Sequence, residues 1–99
     1  MVRGTTPTVY FTLHVVNPSD IAVAYMTIAQ REKKLIEKDI STMRTSEHGI
    51  EWDLSQVETL KLERGTAEIE CRYKTVSGKA YRTETHEEAV EDIQKDGEI

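Results

Sequence analysis

From residue 9 the chain alternates. Val9, Phe11, Leu13 and Val15 occupy every second position, with Tyr10, Thr12 and His14 between them. A period of two, rich in β-branched and aromatic residues, predicts a half-buried strand. Asn17-Pro18-Ser19-Asp20 predicts a turn, because Pro18 fixes its own φ and pushes Asn17 to an extended conformation. Ile50, Trp52 and Leu54 alternate with Glu51 and Asp53 in a second strand, which places Trp52, the only tryptophan, in the core. The clearest strand follows at 67–74. There Ala67, Ile69, Cys71 and Tyr73 make an apolar face and Glu68, Glu70, Arg72 and Lys74 a charged one. Ser77-Gly78 closes a hairpin, and residues 79–86 return as a further alternating strand. Val90 and Ile93 suit one helical turn or a last strand.

Residues 21–40 fit two periods at once. As a helix capped by Asp20, Ile21, Tyr25, Ile28, Leu35, Ile36 and Ile40 fall roughly on one stripe. As strands, Ala22, Ala24, Met26 and Ile28 form one face, and Leu35 and Ile36 sit in a second strand after the polar turn Arg31-Glu32-Lys33-Lys34. Propensity splits as well, toward strand for VAYMTI and toward helix for AQREKKLIEKD. Residues 41–49 read as a loop. Between the strands at 50 and 67, Ser55 and Glu58 stand in S-x-x-E spacing, the capping box in which each side chain satisfies an orphan amide of the other residue. One short helical turn over about 55–63 follows, with Leu60 inward and Gly65 as its stop. Strand, capped turn and strand make a corner common in two-sheet sandwiches.

Length bounds the rest: 99 residues make one domain. Residues 1–7 read as a flexible lead-in ending at Pro7, 8–95 as a single β domain and 96–99 as a tail. A mixture of 37% apolar and 31% charged residues is too apolar for disorder. No apolar run approaches the roughly 18 residues of a membrane span, and the first residues lack the apolar core of a signal peptide. The expectation is a chain that neither enters a membrane nor is secreted by a signal peptide. Net charge is −5, from 13 Lys and Arg against 18 Asp and Glu, which argues against a nucleic-acid partner.

Candidate chemistry is thin. His14, His48 and His86 share no ligand spacing, and His86-Glu87-Glu88-Ala89-Val90 ends in Val where H-E-x-x-H needs a second His. Cys71 is the only cysteine, so no internal disulfide forms, and its alternation with Ile69 and Tyr73 turns it to the core. A catalytic pair among the carboxylates at 47–53, 68–70 and 84–92 lacks any sign of burial; the cleanest of them, Glu68 and Glu70, share a solvated face with Arg72 and Lys74. No cofactor, metal or catalytic residue is expected. Tyr10, Tyr25 and Tyr81 are the interface candidates, because exposed tyrosine is enriched in binding patches.

One stretch carries a resemblance. WDLSQVETLKLERGTAEIECRYKTVSGKA, from Trp52 to Ala80, resembles a pattern in small proteins of tailed phages and prophages, mainly of Firmicutes: LSQEETL, an apolar residue, a Gly, an alternating strand and a Gly turn. The matching residues are Leu54, Ser55, Gln56, Glu58, Thr59, Leu60, Leu62, Gly65, Ala67, Ile69, Cys71, Tyr73 and Gly78. Upstream, VAYMTIAQREKKLIEKDIS is similar to the same family's VYVTFxQGxxxxEKDLS, which turns residues 22–39 into a hairpin. The family usually has Gly after the Gln of this turn; here Arg31 follows Gln30. The resemblance implies a mainly β, Ig-like two-sheet antiparallel β-sandwich, similar to the small N-terminal sandwich modules of phage baseplate proteins. It implies a non-enzymatic structural or accessory protein, tail- or baseplate-associated, in the virion or the host cytoplasm. Its partners would be phage virion or tail proteins, or further copies of itself in an oligomer. A free binding module or inhibitor of a host or phage enzyme is the alternative.

Overall fold

In the computed structural model, which describes residues 1–99, two antiparallel sheets pack face to face as a small β-sandwich. The strands are β1 (Thr8–Thr12), β2 (Ile21–Gln30), β3 (Lys33–Asp39), β4 (Arg44–Thr45), β5 (Gly49–Asp53), β6 (Gly65–Thr75), β7 (Ala80–Arg82) and β8 (His86–Val90). The small sheet has the order β1-β5-β4. The large sheet runs β3-β2-β6, and both β7 and β8 then pair with the far flank of β6. One helical turn, α1 (Gln56–Thr59), bridges β5 to β6.

The core forms where the alternating faces meet. Met26 and Ile28 of β2 and Ala67, Ile69 and Cys71 of β6 are buried against Ile50 and Trp52 of β5 and against Leu54 and Leu62. Trp52 lies edge-on to Phe11 with ring centres 6.0 Å apart. Its indole N–H donates to the Asp39 carbonyl at 2.8 Å, so the one polar atom of the largest core side chain is satisfied. The ladder continues this logic: Ile28 stands opposite Ile36 on one side and Ile69 on the other.

Residues 21–40 are two strands, as the resemblance implied, joined by a tight two-residue turn. Arg31 and Glu32 both take positive φ, 52° and 64°. That is the backbone of a type I′ hairpin turn, which normally selects Asn or Gly. Tertiary contacts hold it. The Gln30 side chain donates to the Glu63 carbonyl at 2.7 Å and accepts from the Glu63 amide at 2.8 Å. Arg31 ion-pairs with the Glu63 carboxylate at 3.3 Å.

The structure also moves several boundaries. β1 ends at Thr12, the chain bends, and Val16 turns inward while Val15 is 82% exposed. Ala22 leaves the apolar face because a register shift between Ile21 and Val23 puts Ile21 inward in its place. The expected loop at 41–49 contains a 3-10 turn (Ile40–Thr42) and the short strand β4. Both halves of the Ser55–Glu58 capping box are formed, yet only one turn of α-helix follows. Thr59 is its buried residue, Leu62 beyond it is buried too, and Leu60 is only half-buried. The return strand from 79 to 86 breaks after Arg82, and β8 then resumes as a strand rather than a helical turn. Residues 1–3 lie along β8: Val2 bridges Glu91, and Arg3 donates to the Leu62 carbonyl at 2.8 Å and pairs with Asp96 at 2.7 Å.

Candidate functional site

The interface candidates sort by sheet. β2 points Ala24, Met26 and Ile28 inward, which sends Val23, Tyr25 and Thr27 to the outer face of the large sheet. By the same parity β6 sends Glu68, Glu70, Arg72 and Lys74 outward. Tyr25, 46% exposed, stands between Asp39 of β3 and Arg72 of β6 in the cross-strand register. A shallow cleft of about 530 Å³ runs along these residues and reaches Tyr81 of β7. Tyr81 is half-buried. It stacks on Tyr73 with centroids 5.3 Å apart, and the Lys79 ammonium lies 5.6 Å from its ring centre.

Tyr25 and Tyr81 both border this cleft, but Tyr81 stands opposite Tyr73 and packs with it against the core, so Tyr25 alone presents its ring on the outer face. Tyr10 does not join them. It lies on the outer side of the small sheet, 48% exposed, where its ring covers Gly49 and its hydroxyl meets Ser46 at 3.3 Å. A Cβ at residue 49 would collide with the Phe11 carbonyl and the Tyr10 ring, so this Gly makes room for a neighbouring aromatic.

Charge on the Tyr25 face is unevenly neutralised. Lys34 pairs with Glu37 at 3.0 Å and Arg82 with Glu70 at 3.9 Å, whereas Arg72 and Lys74 enter no ion pair. Arg72 moreover stands directly opposite Arg82 on β7. Like charges in that relation cost stability, and an anionic group laid across them would relieve it. Sequence reading named the tyrosines but missed Arg72 and Arg82 as a pair, because the register that brings them together is set by the Ser77-Gly78 turn.

The remaining candidates have structural partners. Cys71 is fully buried, and burial pushes its thiol up to about 12, the reverse of an activated nucleophile. Its amide donates to the Thr83 hydroxyl at 2.9 Å. No three His, Cys, Asp or Glu side chains come together as a metal-binding group. The carboxylates with altered acidity are salt-bridged or capping. The Arg44 guanidinium and then the Thr8 hydroxyl hold Asp53 down at about 2, and the Ser41 hydroxyl and amide hold Asp39 below its usual range. At Glu58 partial burial pushes up, but the Ser55 amide and Lys38 outweigh it and the net shift is downward. Lys38 reaches Glu58 at 3.0 Å and so ties β3 to α1.

No helix is long and apolar enough to cross a membrane. Compared with family models, curated proteins and solved structures, the chain matches none.

Proposed function

We propose that this chain is a non-enzymatic structural or accessory protein of a tailed phage or prophage, tail- or baseplate-associated, that works through protein–protein contacts. The observation that carries the contact reading is the outer face of the large sheet, where exposed Tyr25 is flanked by the ion-pair-free Arg72 and Lys74. Tyrosine offers large contact area at a low entropy cost, and tyrosine and arginine are the side chains interfaces favour. The phage assignment is supported by the sequence resemblance around LSQxETL. The partner is a virion or tail protein, or neighbouring copies of the chain in a symmetric ring. A free inhibitor of a host or phage enzyme is the second reading, favoured by the net charge of −5 on a compact domain.

Mass spectrometry of particles purified from an induced culture of the source organism tests the first reading. The chain is expected to co-purify with tail proteins in fixed stoichiometry. Infectious particles that form without it would overturn the virion assignment.

A further inference from the structure

The two sheets differ in width, and the difference opens a groove. The small sheet is three strands wide and the large one four positions wide, with β7 and β8 in succession along its last position. On that side β1 is the outermost strand of the small sheet. Between β1 and the β7–β8 flank lies a cleft of about 380 Å³, within the range of ligand-sized clefts. Val9, Phe11 and Ile69 supply its apolar lining, and Glu84, His86 and Glu88 form its far rim.

The backbone of β1 is paired on one flank only. The Leu54 amide donates to the Pro7 carbonyl at 2.9 Å, and the Leu13 amide donates to the His48 carbonyl at 2.8 Å. In an antiparallel ladder the amide and carbonyl of one residue point the same way, and the direction alternates along the strand. Odd-numbered residues from 7 to 13 therefore address β5. The amides and carbonyls of Thr8, Tyr10 and Thr12 face the groove. β1 is also less defended than β3, the edge strand on the other flank of the large sheet. β3 carries Lys33, Lys34 and Lys38, the charges that natural edges use against strand addition, while β1 reads Thr-Val-Tyr-Phe-Thr with no charge.

We propose that β1 accepts an extended segment of a partner protein as a fourth strand of the small sheet. This deepens the reading of the chain as a protein-contact module and rests on it. The occupant's chemistry follows from the lining. Side chains turned toward Val9, Phe11 and Ile69 are apolar. The end residue of the same face that lies by Glu84 is basic, because Glu84 stands on the rim without an ion pair, whereas Glu88 already meets the Met1 ammonium at 3.6 Å. Main-chain bonds to Thr8, Tyr10 and Thr12 supply affinity, and the alternate side chains supply choice.

The probe is the blocked peptide KTVTVTK, with ETVTVTE as its charge-reversed control. Residue-resolved amide exchange is measured on the full chain with each. KTVTVTK is expected to slow exchange at Thr8, Tyr10 and Thr12 while leaving Val9 and Phe11, already bonded to β5, unchanged. ETVTVTE is expected to bind at least about tenfold more weakly, the effect of losing one or two charge-assisted contacts. Thr12→Pro removes one groove-facing donor at an edge position where Pro is tolerated, and should weaken KTVTVTK without disturbing the β-sheet circular dichroism. If that variant does not fold, the two-peptide comparison on the unaltered chain decides alone. Absence of protection with KTVTVTK, or equal protection with ETVTVTE, overturns the proposal. Protection at Thr8, Tyr10 and Thr12 that rises with protein concentration in the absence of peptide also overturns it, in favour of a second copy as occupant. Tyr25 lines a different cleft, so failure here with contacts at Tyr25 intact removes the groove assignment alone. Failure at both surfaces removes the contact reading as well.

Discussion

The large and small sheets are held together by different means. In the large sheet, β2 and β6 run 10 and 11 residues, and their ladder extends from Ile21 to Ala29. Backbone pairing over that length fixes the register with little help from any single side chain. The small sheet has strands of five, five and two residues. It keeps its place through point contacts: Trp52 in the core, Gly49 under Tyr10, and Asp53 accepting from both Arg44 and Thr8. The lesson is that the same sandwich has one half defined by its backbone and one defined by anchors. The surfaces proposed for contact follow that division, with Tyr25 on the rigid half and the open β1 edge on the anchored half.

The difference can be broken most severely at Trp52. Trp52→Ala removes the largest fully buried side chain and should cost about 3–5 kcal/mol. Chemical denaturation reads the loss, and amide exchange should show β1 and β5 opening before β2 and β6. Gly49→Ala is expected to be next, costing about 1–3 kcal/mol through overpacking against Tyr10 and the Phe11 carbonyl. A Tyr10→Ala background should recover part of that loss, since it clears one of the two colliding groups.

The large sheet offers a test of opposite sign. Arg31→Asn with Glu32→Gly replaces two residues held at positive φ by the pair a type I′ turn prefers. It should raise stability by about 1–2 kcal/mol, reduced by whatever the Arg31–Glu63 pair contributes. An unchanged melting temperature would mean that the lost Arg31–Glu63 pair offsets the relief of strain.

Acid provides the mildest discrimination. Asp53 is held at about 2 in the folded chain against an ordinary 3.8. A carboxylate depressed by folding contributes stability that is present above its unfolded pKa and lost as pH falls through the folded one. Stability should therefore decline from about pH 4 toward pH 2. The small sheet should loosen first, because Asp53 joins β5 to both β4 and β1. Asp53→Asn should flatten the decline. Asp39, Glu58 and Asp96 shift in the same direction and contribute to the remainder of the slope.

How far the sequence discloses this arrangement depends on how one-sided each segment is. At 67–75 the inner face is wholly buried and the outer charged, so the alternation is unambiguous and Cys71 reads correctly as core. Ser55 and Glu58 likewise announce their own capping box. Residues 21–40 do not, because apolar residues occur at both helical and strand spacing, and only the family resemblance selected a hairpin. Ala22 and Val15 are misread because a register shift and an early strand end change the phase of alternation. The turn at Arg31-Glu32 violates local propensity and is held by Glu63, which lies 31 or more residues away in the chain. The groove beside β1 depends on strand order, which no periodicity contains. Of the site, Tyr25 was legible singly; the stacking of Tyr81 on Tyr73 and the Arg72–Arg82 pair required the register.

The central claim is that the outer face around Tyr25 meets another protein. A photo-crosslinking amino acid placed at position 25, with one at Lys33 on the guarded edge as control, tests it directly in particles from the induced culture. The account predicts a discrete adduct from position 25, lost when Arg72 is changed to Glu, and none from position 33. No adduct from position 25, or the same adducts from both positions, would contradict it.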